Sequence, residues 1–134
     1  MPIILDMKIR WRSILLIFLL IFFTCTSFFI AGGQTYPTLL SVRYSEGEMI
    51  IEFEPLERRD VLYRIYRSES AITGTDALAD AVLIAEITGD RLPFIDRPAE
   101  NGAFNYAVTY RINGMENELL VPFQNVTMYP VEYS

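Results

Sequence analysis

From Tyr36 onward the apolar residues of this chain recur at every second position, a period that suits strands packed on one face and little else. Met49, Ile51 and Phe53 alternate with Ile50, Glu52 and Glu54. In Leu62–Ser68, Tyr63 and Ile65 share one face, and Arg64 and Tyr66 the other. Phe104–Arg111 sets Tyr106, Val108 and Tyr110 inward, with Asn105, Ala107, Thr109 and Arg111 outward. Leu119, Val121 and Phe123 form a last inward set, while Leu39–Tyr44 and Val82–Thr88 are rich in branched residues that suit strands. Glu46-Gly47, Gly89-Asp90, Asn101-Gly102 and Asn113-Gly114 supply turns, and the last predicts a hairpin of Phe104–Ile112 with Glu116–Phe123. Only Thr75–Ala81 reads as helix, a single turn that Thr75 or Asp76 can cap. The expectation is an all-β fold: one immunoglobulin-like sandwich of about seven strands.

Residues 1–33 follow other rules. Lys8, Arg10 and Arg12 precede the unbroken apolar run Ile14–Phe23, and Ala31-Gly32-Gly33 offers small residues for cleavage. This is the layout of a secretory signal, whose basic end stays on the cytoplasmic side while the apolar helix enters the bilayer. Three readings are open. A signal peptide is cleaved after Gly33; residues 14–31 stay as an uncleaved anchor helix; or Cys25 is acylated as in a bacterial lipoprotein. Each of them exports the domain to the periplasm or the cell exterior.

The domain beyond residue 33 excludes more chemistry than it offers. It holds eight bases, all Arg, against sixteen acids, and contains no Lys, His or Cys. Ser-His-Asp and Cys-His catalysis, a Cys/His zinc site and a phosphate loop ending in Gly-Lys-Ser/Thr therefore have no residues to use. Nucleic acid is excluded as a partner by the acidic balance. Glu52 and Glu54 read as a solvated strand face and not an acid–base pair. Asp76 with Asp80, and Asp90 with Asp96, read as caps and turns and not as calcium ligands. No enzyme activity, metal or cofactor is expected.

Over roughly Tyr36–Val126 the chain resembles a fibronectin type III domain. Phe53-Glu54-Pro55 is similar to the aromatic-polar-Pro element that ends strand B, with Phe in place of Trp. Tyr63-Arg64-Ile65 matches strand C and Tyr106-Ala107-Val108 strand F, which makes Tyr106 the tyrosine-corner residue bonding back to the chain. The run 63–87 is similar to the C to C′ portion of bacterial members, and Phe94-Ile95-Asp96 to the short strand that follows. The resemblance implies a domain over 34–126, a tail over 127–134, and a role in spacing, display or binding. The integrin-binding tripeptide Arg-Gly-Asp is absent.

Contact is therefore the expected activity. Arg64, Tyr66, Thr109 and Arg111 point outward on adjacent strands, and Tyr and Arg are enriched at interfaces. Tyr129, Val131 and Tyr133 alternate in the tail, either as a continuation of strand G or as a free segment that adds to a partner's sheet edge. Deleting 127–134, or replacing Tyr66 by Ala, is expected to leave the fold intact. Asn125-Val126-Thr127 matches a glycosylation acceptor, of use only in a eukaryotic source, whereas the leader is bacterial in style. The expected partner is another envelope or secreted protein, with membrane contact only through residues 14–31 or an acylated Cys25. Two alternatives are a carbohydrate-binding accessory module that stacks sugars on Tyr66, and a membrane-anchored spacer.

Overall fold

The computed structural model describes residues 35–134, which lie within one compact unit, Gln34–Ser134. The expected signal or anchor over 1–33, with Cys25 and residues 14–31, lies outside the described residues. Among the described residues, no helix is long and apolar enough to cross a membrane.

The unit is all-β, with eight strands, one short helix and a single 3-10 turn at Gly89–Arg91. The strands are β1 (Thr38–Ser45), β2 (Glu48–Glu54), β3 (Leu62–Ser68), β4 (Val82–Ile87), β5 (Phe94–Asp96), β6 (Gly102–Ile112), β7 (Met115–Asn117) and β8 (Val131–Tyr133). One antiparallel sheet has the order β1-β2-β5; the other has the order β4-β3-β6-β7, with β8 also on β6. Two tight hairpins set the registers. Glu46-Gly47 joins β1 to β2 and Asn113-Gly114 joins β6 to β7, with positive φ at all four residues (49°, 81°, 52° and 79°). Both central residues in the left-handed region is the I′ geometry whose twist suits antiparallel strands.

The alternation carries the packing. Met49, Ile51 and Phe53 of β2, Tyr63 and Ile65 of β3, and Phe104, Tyr106 and Val108 of β6 form one core shared by both sheets. Each such side chain stabilises the fold by about 1.5–3 kcal/mol through burial. The two most enclosed tyrosines keep their hydroxyls bonded. Tyr63 accepts from the Leu56 amide at 2.7 Å, and Tyr106 donates to Asp96 Oδ2 at 2.8 Å. Tyr106 therefore does bond back along the chain, but to a side-chain carboxylate ten residues earlier, which Arg67 also grips at 2.8 and 2.9 Å.

Three expectations change. The helix, α1, spans Thr75–Asp80, with Gly74 at the N-cap and no side-chain cap, so neither Thr75 nor Asp76 has that role. A helix this short draws its stability from packing, here through buried Leu78. Strand β7 ends at Asn117 instead of running to Phe123. The Asn117 side chain accepts the Leu119 amide at 2.9 Å, and Asn125 Oδ1 accepts the Val121 amide at 2.6 Å, so side chains take the donors a ladder would need. Leu119 and Phe123 consequently face solvent (50% and 65% exposed) and not the core. Finally, residues 127–134 are not a free segment: β8 pairs Val131 with Phe104 and Tyr133 with Gly102.

Candidate contact surface

The outward face of β3 and β6 gathers four of the expected residues around two acids, Glu116 and Glu86. The Asn113-Gly114 turn brings Glu116 of β7 back over β6. Its Oε1 accepts from the Tyr66 hydroxyl at 2.6 Å and from Thr109 Oγ1 at 2.5 Å, while Oε2 accepts from Arg64 Nη1 at 3.1 Å. Glu86 of β4 lies 3.4 Å from Arg64 Nε and 3.6 Å from Arg111 Nη1, and Arg111 also donates to the Gly114 carbonyl. Burial, and then the bond to Glu116, push the Tyr66 phenol up to about 12. Two arginines and two glutamates thus neutralise one another.

This face is also covered. Tyr66, Ala107, Ile72, Leu78 and Val126 form a second apolar cluster on the outer side of the sheet, with Leu120 packed against it. Tyr66 is 8% exposed and Thr109 fully buried, so the outward direction read from the sequence leads under α1 and the C-terminal loop and not to solvent. Arg64 and Arg111 are half-buried. Of the tail residues, Val131 and Tyr133 pack against the main core. The Tyr133 hydroxyl donates to the Gly47 carbonyl at 3.0 Å, and its ring meets Tyr44 edge-on at 5.7 Å. Tyr129 alone among the seven stands out, 75% exposed.

What the surface does present is residues 118–130, between β7 and β8. Leu119, Phe123, Met128 and Tyr129 are all exposed, and Glu118 is the single charge in this stretch. The stretch is nevertheless fixed. Asn125, 1% exposed, donates from Nδ2 to the carbonyls of Val108 at 3.1 Å and Leu119 at 2.6 Å. Main-chain bonds tie Val108 to Asn125 at 2.8 Å and Thr127 to Tyr106 at 2.9 Å. With both amide hydrogens engaged and the side chain enclosed, Asn125 is no glycan acceptor in the folded domain.

Backbone strain marks the same place. Phe123 has φ 65° and Leu39 φ 56°, left-handed conformations that bulky residues rarely adopt. The Leu40 amide donates to the Gln124 carbonyl at 2.9 Å, so the irregular start of β1 is held against this loop, and exposed Leu39 joins the patch. Beside it, Ala71, Ile72, Leu120, Pro122, Val126 and Met128, with Thr73 and Thr127, line a groove of about 160 Å³. A wider cleft of about 580 Å³ lies between Pro55–Arg59 and Thr88–Asp90, where Arg58 pairs with Asp60, Thr88 donates to Asp90, and Arg59 is exposed. Pro122 was the sequence signal for the loop, because a proline within an alternating run argues against a paired strand.

Compared with known proteins, the chain matches no family model, no curated protein and no solved structure.

Proposed function

We propose that the chain is an exported, non-catalytic module of a bacterial cell envelope, with an immunoglobulin-like sandwich of the fibronectin type III kind, acting by protein contact. The basic-then-apolar leader supports export. The first, second and fifth strands in one sheet, with the third, fourth, sixth and seventh in the other, support the sandwich. That division is A-B-E against C′-C-F-G.

The observation that carries the contact reading is the rigid, nearly uncharged loop 118–130, which displays Leu119, Phe123, Met128 and Tyr129 on buried Asn125. Exposed apolar groups of this number, held in place at a cost in backbone strain, fit a surface made to be covered. Preorganisation removes part of the entropy that binding would otherwise lose. Burial of Tyr66 leaves the carbohydrate reading without the stacking platform first assigned to it.

Chemical crosslinking in the native cells tests this reading, with the wild-type chain compared to Phe123→Asp. A dominant protein partner is expected on the wild type, weakened roughly tenfold in the variant, as for a hot-spot residue. Equal recovery of all crosslinked species from both chains would overturn it.

A further inference from the structure

The groove beside the loop has one side chain's worth of room and is walled by two chain segments that carry acids and no base, and this pairing specifies what it receives. We infer that it is the docking site for a basic segment of a partner protein, one apolar side chain of which enters between Ile72, Leu120, Val126 and Met128. The inference rests on the protein-contact reading above and deepens it by naming the partner's chemistry.

The apolar half follows from the lining. A volume of about 160 Å³ is on the order of one large apolar residue, and Ile72 and Val126 at its base belong to the second core cluster. The groove is thus a notch in a packed layer. Its floor is fixed by the Asn125 bonds and by Leu78 of α1.

The cationic half follows from the charges on the segments that wall it. Residues 68–90, which include the wall Ala71–Thr73, carry acids and no base; so does everything after Arg111, including the wall Leu120–Met128. Glu69, Asp76 and Asp80 in the first segment and Glu118 in the second are exposed, with no ion-pair partner among the described residues. The rest of the domain beyond residue 33 balances its charge, with eight acids against eight Arg, so the domain's whole excess of acid lies in these two segments. Unpaired carboxylates on the segments that wall an apolar notch attract Lys or Arg beside the inserted residue and repel acidic competitors.

The test selects random twelve-residue peptides displayed on phage against the immobilised full-length chain, with Ala71→Arg as the counter-screen. Ala71 is exposed at the groove wall, so the substitution obstructs the notch without entering the core. Enriched peptides are expected to carry a large apolar residue close to at least two Lys or Arg. Their binding should weaken roughly tenfold in the triple variant Glu69→Gln/Asp76→Asn/Glu118→Gln, and again when salt rises tenfold. Unchanged thermal midpoints establish that both variants are folded. Binders without basic residues, binders indifferent to the triple variant, or no binder sensitive to Ala71→Arg would each overturn the inference, as would groove-dependent binding of neutral phospholipid vesicles in place of peptides. These results leave the wider reading standing if Phe123→Asp still loses its cellular partner. If that variant keeps every partner, the wider reading falls regardless of the peptides.

Discussion

Asn125 donates its side-chain amide to the Leu119 carbonyl at 2.6 Å and, with the same nitrogen, to Val108 of β6 at 3.1 Å. One buried side chain thereby joins an exposed loop to the sheet in place of a strand ladder. Replacing Asn125 by Ala is expected to cost about 2–3 kcal/mol, because it leaves enclosed carbonyl groups without donors. Hydrogen exchange at Val121, whose amide bonds Asn125 Oδ1, should accelerate more than at the hairpin amides of β1 and β2.

Removal of residues 127–134, expected from sequence to be harmless, is predicted to destabilise the domain. It deletes β8, the apolar contacts of Val131 and Tyr133, and the Thr127 bonds to Tyr106. Chemical denaturation should show a loss of about 3 kcal/mol or more, of the size of one or two large core truncations. Unchanged stability would mean that β8 contributes nothing.

Asp96 sits between the layers with Arg67 and the Tyr106 hydroxyl both directed at it. Asp96→Ala should cost about 3–5 kcal/mol, since it strands a partly buried guanidinium and an enclosed phenol. Asp96→Asn keeps an acceptor for Tyr106 and should lose less. Equal losses would show that the charge has no role.

Alkaline pH acts in part through Tyr66. Its phenol is held at about 12 against an ordinary 10.0, by burial and by its bond to Glu116. The unfolded chain sheds this proton first, so the contribution to stability is full below pH 10 and declines as the pH climbs to about 12. Tyr66→Phe should make that part of the stability–pH curve less steep, the remaining decline coming from Tyr63 and Tyr106, whose phenols burial also pushes up. Tyr66→Ala should instead cost about 3 kcal/mol, because the ring belongs to the second apolar cluster.

Phe123 and Leu39 hold left-handed backbone while exposing large apolar side chains. Asparagine tolerates that conformation better, so Phe123→Asn and Leu39→Asn are each predicted to raise stability by about 0.5–1 kcal/mol. Thermal denaturation checks it. A stabilised Phe123→Asn chain that also loses its cellular partner would exhibit the trade between stability and function.

The layers were legible wherever one face of a strand is buried and the other wet. Met49, Ile51 and Phe53, and likewise Tyr63 and Ile65, alternate as a half-buried sheet requires. Alternation says which residues share a face and nothing about what covers it. Tyr66 and Thr109 do face away from the main core, yet they are buried, because α1 and the 118–130 loop pack over them through contacts distant in sequence. The same ambiguity misplaced Leu119 and Phe123. Their period-two spacing mimics a strand, while Asn117 and Asn125, which divert the backbone donors, look in sequence like ordinary loop residues.

Along its outer side β6 is covered in three pieces: β7 at Tyr110–Ile112, β8 at Gly102–Phe104, and between them the main-chain bonds from Asn125 and Thr127. No long run of free donors and acceptors is left there for another chain to copy. A visitor to this side of the molecule must be identified by the shape and charge of its side chains, because the peptide groups that any extended sequence could satisfy are already spoken for. Exchanging residues at the tip would then alter which visitor is accepted while the sheet beneath keeps its hydrogen bonds.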